Sequence, residues 1–331
     1  MSETMDRNLA LELVRVTEAA AMAAARLMGR REKEQADQAA VDAMRHTINA
    51  VNMDGVVVIG EGEKDEAPML YIGERVGNGS PPSVDVAVDP IDGTNLLANG
   101  RPGAISVVAI AEQGSLFFTH VVYMQKIAVG PRAKGVIDIE APVKENLKRI
   151  AKAMGRNVED LTVVILDRPR HEQLVREVKE AGARLKLISD GDVAPGIMAG
   201  LEESGIDVLM GIGGAPEAVV TASALKCLGG DMQCKLWPRD DRERQVAKEE
   251  GHDLNRVLTI DDLCRGENVF VAVTGITDGE LLKGVRYFGS GARTTSLVMR
   301  SVSGTVRWVE AKHDFTRLRK VAGPRYEGQK S

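Results

Sequence analysis

Residues 84–88 read Val-Asp-Val-Ala-Val and run straight into Asp89-Pro90-Ile91-Asp92-Gly93-Thr94. The alternation of valine with Asp85 and Ala87 predicts a strand. Pro90 cannot continue a strand ladder and Asp-Gly favours a turn, so the strand is expected to stop there. Asp89 and Asp92 bracket the proline, and both carboxylates can converge on one point at the strand's end. A short helix beginning at Thr94 would aim free backbone N–H groups and a hydroxyl at the same point. Hard divalent cations need carboxylate oxygens and phosphate needs N–H donors, and this turn offers both. Asp, Pro and Gly are also the commonest residues of plain surface turns. Six residues in this order behind a valine-rich strand are more specific than that.

The rest of the chain narrows the setting. Its 331 residues, 44% of them apolar, suffice for one large domain or two closely packed ones. A net charge of −5 and a pI near 5.7 argue against a nucleic-acid binder. The polar first eight residues and the absence of a long apolar run predict neither a signal peptide nor a membrane span, hence a cytoplasmic protein. Cys227, Cys234 and Cys264 lack a zinc spacing and are expected to be reduced packing residues. With five scattered histidines, carboxylates must carry any metal.

Helices are expected over 8–28 and 32–51. On the second, Asp37 falls three residues before Ala40 and seven before Met44, which turns it towards the apolar stripe, although a solvated charge at the stripe edge is the plainer reading. The run 56–59 reads as a buried strand, after which Glu61 stands between Gly60 and Gly62, free to reach a cation at the strand terminus. Antiparallel strands are expected over 104–111 and 116–123, closed by Tyr123, and 126–134 reads as a connection between domains. The second half alternates strand and helix, the pattern of a parallel sheet whose ligands bind beyond the strands' carboxyl ends. Arg168 and Arg170 fall at such an end, and their forked donors suit phosphate. Asp190 and Asp192 flank Gly191 at the end of the next strand. Residues 211–217, Gly-Ile-Gly-Gly-Ala-Pro-Glu, invite a dinucleotide-binding reading, which Pro216 at the third glycine position resists. Pro216 instead suits a first helical turn that would also hold Glu217, often no more than a dipole complement. The stretch 237–262 is strongly charged and reads as solvated helices, 285–309 as two or three strands, and the tail after Lys312 as frayed.

The hexad Asp89–Thr94 is similar to the signature of the metal-dependent, lithium-sensitive sugar and inositol phosphatases. The run 60–74, Gly-Glu-Gly-Glu-Lys-Asp-Glu-Ala-Pro-Met-Leu-Tyr-Ile-Gly-Glu, resembles the class II fructose-1,6-bisphosphatases, which include bifunctional fructose/sedoheptulose enzymes. The resemblance covers nearly the whole chain. It implies an α/β fold of layered α/β/α/β/α type, divided into a metal-binding domain over 1–135 and a substrate-binding domain over 136–331. It further implies a gluconeogenic or carbon-fixing phosphatase that removes the 1-phosphate of fructose 1,6-bisphosphate, with sedoheptulose 1,7-bisphosphate as a second substrate. Asp37, Glu61, Asp89, Asp92 and Glu217 would hold two or more Mg2+ or Mn2+ ions, with Asp89, Thr94 and Glu61 in the chemical step. Asp92, Gly93, Thr94, Tyr123, Arg168, Arg170, Asp190, Asp192 and Gly214 would contact the sugar bisphosphate. Lys33 is a lesser phosphate candidate. No nucleic acid or membrane partner is expected, and a homo-oligomer, dimer or tetramer, is. An inositol monophosphatase-like enzyme or nucleotide 3′-phosphatase is the nearest alternative. A nicotinamide-dependent oxidoreductase built on the Gly211 stretch, or a non-catalytic sugar-phosphate sensor, would be the alternatives of another class.

Overall fold

The computed structural model describes residues 8–60 and 70–322, the last four of these by backbone alone. Helices α1 (Leu9–Ala25) and α2 (Lys33–Ile48) form where expected, with Leu13, Val16 and Ala20 on one and Ala40, Met44 and Ile48 on the other fully buried. They cover one face of a sheet that begins with β1 (Asp54–Ile59), β2 (Arg75–Val76) and β3 (Ser83–Asp92). Helix α3 (Thr94–Ala98) and strand β4 (Ile105–Glu112) follow.

Strand β3 lies between β1, which is parallel to it, and β4, which is antiparallel. Both its faces are covered. Val84, Val86 and Val88 pack towards α1 and α2, and Ala87 joins the core on the opposite side. The alternation in this strand therefore separates two interiors rather than core from solvent, and Asp85 is buried, its Oδ2 accepting the Leu116 N–H at 3.0 Å. The strand also runs through Pro90 to Asp92, contrary to expectation. Between Asp89 and Asp92 the pairing with β4 slips, Pro90 and Ile91 facing Ser106 alone, and a bulge is where a strand tolerates proline.

The chain next enters a second sheet with β5 (Tyr123–Val129). Residues 116–122 are not the strand expected of them; Leu116 makes a single bridge to Cys264. Tyr123 opens a strand instead of closing one, and the supposed domain connection begins inside a central strand, its first four residues, 126–129, belonging to β5. The remaining elements are α4 (Val143–Met154), β6 (Thr162–Leu166), α5 (Glu172–Ala181), β7 (Arg184–Ile188), α6 (Val193–Gly200), β8 (Val208–Gly214), α7 (Ala215–Leu228), β9 (Asp231–Leu236), α8 (Asp241–Glu249), β10 (Leu258–Thr259) and α9 (Ile260–Leu263). The strand order is β10-β9-β5-β8-β6-β7. Only β6, β7 and β8 are parallel; β5 is antiparallel to both its neighbours, so the sheet is mixed rather than parallel throughout.

The last strands, β11 (Phe270–Gly275), β12 (Arg286–Phe288), β13 (Gly291–Arg300) and β14 (Thr305–Asp314), return to the first sheet, where β11 pairs with β4. A helix, α10 (Phe315–Ala322), occupies part of the tail expected to fray. The sheets thus do not divide at residue 135: β5, before that point, belongs to the second sheet, and β11–β14, well after it, belong to the first. Helices α6 and α7 lie between the sheets, and α4 and α5 cover the second sheet's outer face. The expected α/β/α/β/α layering is the architecture found.

Candidate active site

The bulged end of β3, the start of α3, the segment 189–192 and the β8–α7 junction meet where the two sheets face each other. Gly93 adopts φ 90° and turns the chain into α3. Against it lies Gly191, φ 68°, where a Cβ would come within 3.3 Å of both Asp92 Oδ2 and Gly93 Cα. Two glycines therefore let the halves touch. Three hydrogen bonds fasten them: Val193 N–H donates to Asp92 Oδ2 at 3.2 Å, and the backbone N–H and side-chain amide of Asn95 both donate to Asp190 Oδ2 at 3.0 Å. The start of α3, expected to offer its N–H groups to a phosphoryl group, thus has the Asn95 N–H occupied by a carboxylate.

Asp92 and Glu217 are brought together with Asp192. Asp92 is buried, and its pKa is pushed well above the usual carboxylate range by burial and then by the charges of Asp192, Glu217 and Asp190, with Lys126 acting against them. Glu217, in the first turn of α7 behind Pro216, is raised first by burial and next by Asp192, and its buried Oε2 has no hydrogen-bond partner. Gly214 leaves room for this carboxylate: a Cβ there would sit 1.8 Å from Glu217 Oε2. Lys126 Nζ lies 2.7 Å from Asp192 Oδ2, a buried charge pair.

Asp37 stands on the other side of the β3 turn. Thr94 Oγ1 donates to Asp37 Oδ1 at 3.3 Å, sharing its proton with Ile91 O at 3.2 Å, and burial raises the Asp37 pKa against the opposing effects of Thr94 and Lys33. Lys33 itself bonds Asn95 Oδ1. Asp89 Oδ1 accepts the Ile91 N–H at 3.0 Å, which fixes it within the bulge. Glu61, with the rest of 61–69, lies outside the described residues. Among those described, no three His, Cys, Asp or Glu side chains close into a metal cage, so the expected set of five is seen as Asp37 with Thr94, Asp89 in the bulge, and Asp92 with Glu217.

The remaining expected residues form one wall. In register with Gly214 across β5 and β8, Tyr123 lies under the Arg170 guanidinium, 4.9 Å from its ring centroid. Arg170 also donates to Ile212 O at 2.8 Å, and Arg168 donates to Ser189 O at 2.7 Å with Asp190 Oδ1 at 3.5 Å. Both arginines follow β6 through a short 3-10 turn, as its proline predicts. His171 supports the pair from below: its Nδ1–H donates to Leu166 O and its Nε2 accepts the Ile212 N–H, both at 2.7 Å, and burial lowers its pKa. The residues from Gly211 to Gly214 are strand, paired with β5, and form no loop that would cradle a dinucleotide.

Sequence reasoning missed Lys126, Asn95 and the supporting role of His171. Lys126 carried one signal, a lysine set among Met124, Ile127, Ala128 and Val129, which the reading of this stretch as a connection discarded.

The chain is similar to known proteins over nearly its whole length. The family described as bacterial fructose-1,6-bisphosphatase, glpX-encoded, matches residues 7–313. The D-fructose 1,6-bisphosphatase class 2/sedoheptulose 1,7-bisphosphatase of Synechococcus sp. (strain JA-2-3B'a(2-13)) is 47% identical over 334 residues, covering 93% of this chain and 96% of that protein. The protein of the same description from Synechococcus elongatus (strain ATCC 33912 / PCC 7942 / FACHB-805) is 46% identical over 343 residues, covering 96% and 99%. With the match spanning nearly its whole length, the chain belongs to the bacterial fructose-1,6-bisphosphatases, a family of metal-dependent phosphatases.

Proposed function

We propose that this enzyme hydrolyses the 1-phosphate ester of fructose 1,6-bisphosphate, releasing fructose 6-phosphate and phosphate, in the cleft between the sheets. The observation that carries the reading is Asp92. A carboxylate from the first sheet is buried against Asp192 and Glu217 of the second half, with one lysine to offset three acids. Such a group needs further positive charge, and oxygen donors of this kind suit Mg2+ or Mn2+. The orphaned Oε2 of Glu217 points the same way. Asp37, Glu61, Asp89, Asp92 and Glu217 are the proposed ligands of two or more ions, which when bound would lower the pKa of a water and neutralise charge on the transferred phosphoryl group.

Thr94 accepts a hydrogen bond from the attacking water while donating its own proton to Asp37, which orients the water's lone pair. Gly93 and Thr94 line the reacting phosphate, and Glu61 and Asp89 complete the catalytic set. Arg168, Arg170 and Tyr123 hold the phosphate that stays, while Asp190, Asp192 and Gly214 border the sugar. Holding both ends of the substrate raises the rate through positioning.

Sedoheptulose 1,7-bisphosphate is the second substrate in this proposal, supported by the names of the relatives. A homo-oligomer and a cytoplasmic location belong to it as well. Strand β14 pairs only with β13 among the described residues, and Trp308 on it is 59% exposed, features that favour contact with a second copy. Three unpaired cysteines suit a reducing compartment, and no helix among the described residues is long and apolar enough to cross a membrane.

The test is phosphate release from both bisphosphates with Mg2+, with Mn2+ and with a chelator. Release that requires added metal and favours these sugars over inositol phosphates and nucleotide 3′-phosphates supports the proposal. Equal release in the chelator overturns its metal chemistry.

A further inference from the structure

Lysine is the wrong residue for the place where Lys126 stands. Its neighbours two positions away on the same face of β5, Met124 and Ala128, are core residues packed on the helices between the sheets. Its side chain is 1% exposed. Taking an ammonium and a carboxylate out of water is costly for each ion, and well-packed apolar residues commonly serve stability as well or better. The fold alone does not call for this pair.

The pair changes what Asp192 does. Asp192 occupies the position before the first turn of α6, but its own backbone there is already helical (φ −103°, ψ −1°) and Pro195, third in the helix, has no N–H, so only the Ala194 N–H could donate a capping bond to its side chain. Here it makes no such bond. Its Oδ2 faces Lys126 Nζ at 2.7 Å instead, and the Val193 N–H at the start of α6 is taken by Asp92 from the other half. Gly213 keeps the space open, since a Cβ there would lie 2.3 Å from Asp192 Oδ2 and 2.7 Å from Lys126 Nζ.

We infer that Lys126 is a positioning residue for substrate recognition: it fixes the Asp192 carboxylate towards the cleft, where the remaining lone pairs accept a hydroxyl of the sugar. This rests on the proposed contact between Asp192 and the sugar. A carboxylate held through one oxygen keeps the other as an acceptor, and a sugar hydroxyl is the donor that the substrate supplies there. Without the ammonium, nothing on β5 holds the Asp192 carboxylate in this place and the sugar loses its partner.

The experiment compares Lys126→Met, Asp192→Asn and the combined variant with the parent enzyme, on fructose 1,6-bisphosphate and on p-nitrophenyl phosphate, at saturating metal. Lys126→Met is expected to raise KM for the bisphosphate by about tenfold or more while lowering kcat/KM for the simple ester by a much smaller factor. The combined variant carries neither buried charge and is expected to fold even where Lys126→Met does not. Its bisphosphate KM should match that of Asp192→Asn alone, because residues acting through one contact are not additive. Equal losses on both esters in Lys126→Met, or a combined loss equal to the product of the single ones, overturns the role of Lys126 while Asp192→Asn remains selective. If Asp192→Asn spares the bisphosphate, the sugar contact itself is wrong and the inference falls with it.

Discussion

Val193 donates its backbone N–H to Asp92 Oδ2 at 3.2 Å, so the first turn of a helix in one half is closed by a side chain from the other. Asp92→Asn keeps an oxygen in that place and removes the charge. The folded-state pKa of Asp92 is raised by burial and neighbouring acids, so the group binds a proton more tightly folded than unfolded, and ionising it near neutral pH works against folding. In a chelator at pH 7.5 the variant should therefore melt no lower than the parent, while turnover falls on the order of 10²-fold or more. A Tm several degrees lower would show that the amide does not replace the cap.

Gly214→Ala tests the room left for Glu217. The new Cβ, 1.8 Å from Glu217 Oε2, forces the carboxylate to another rotamer while the backbone of Gly214, φ −60°, accepts alanine without strain. Activity should drop by roughly tenfold to 10²-fold with little change in Tm. An unaltered kcat/KM would remove Glu217 from the site.

Arg168→Ala removes a guanidinium that bonds Ser189 O and lies near Asp190. Use of the bisphosphate should weaken by roughly tenfold to 10²-fold, p-nitrophenyl phosphate much less, because only the first substrate carries a second phosphate. The ratio of the two kcat/KM values is the measurement, and an unchanged ratio speaks against the assignment.

His171 sets an acid limit. Burial lowers its pKa below the ordinary 6.5, so the unfolded chain takes up the proton first. Its contribution to stability is present above pH 6.5 and declines as the pH falls from there towards the folded-state pKa. Protonation also ends acceptance of the Ile212 N–H. Bisphosphate KM should climb below pH 6 in the parent and stay flatter in His171→Gln, as a pH profile of KM will show.

Cys234 is fully buried and burial pushes its thiol pKa up to about 12. Cys227 and Cys264 are raised for the same reason. A thiol reagent at pH 8 should label none of the three in the folded enzyme and all three in denaturant.

Much of this was legible in the residues. The helices with a clean apolar stripe and the valine strand stood out because each signals within a few residues, whereas the turn expected at Pro90 comes only at Gly93, because a bulge carries the strand through the proline. What escaped depends on partners far along the chain. Residues 116–122 have strand-like composition yet, among the described residues, form no strand beyond the isolated Leu116–Cys264 bridge, whereas 123–129 carry Gln125 and Lys126 and still form a central strand because β8 and β9 flank them. Lys126 reads as the start of a connection until Asp192 is seen beside it. A division into halves likewise follows sequence order, which β11–β14 do not respect.

The return of those strands has a consequence for synthesis. As the ribosome delivers the chain from its amino end, β4 emerges early, yet its neighbour β11 begins only at Phe270. In that interval β4 offers an open row of N–H and C=O groups beside buried valines, the kind of edge that invites adventitious pairing. Truncating the gene before Phe270 would fix the protein in that state, so its fragments should be insoluble and its early strands a natural client for chaperones.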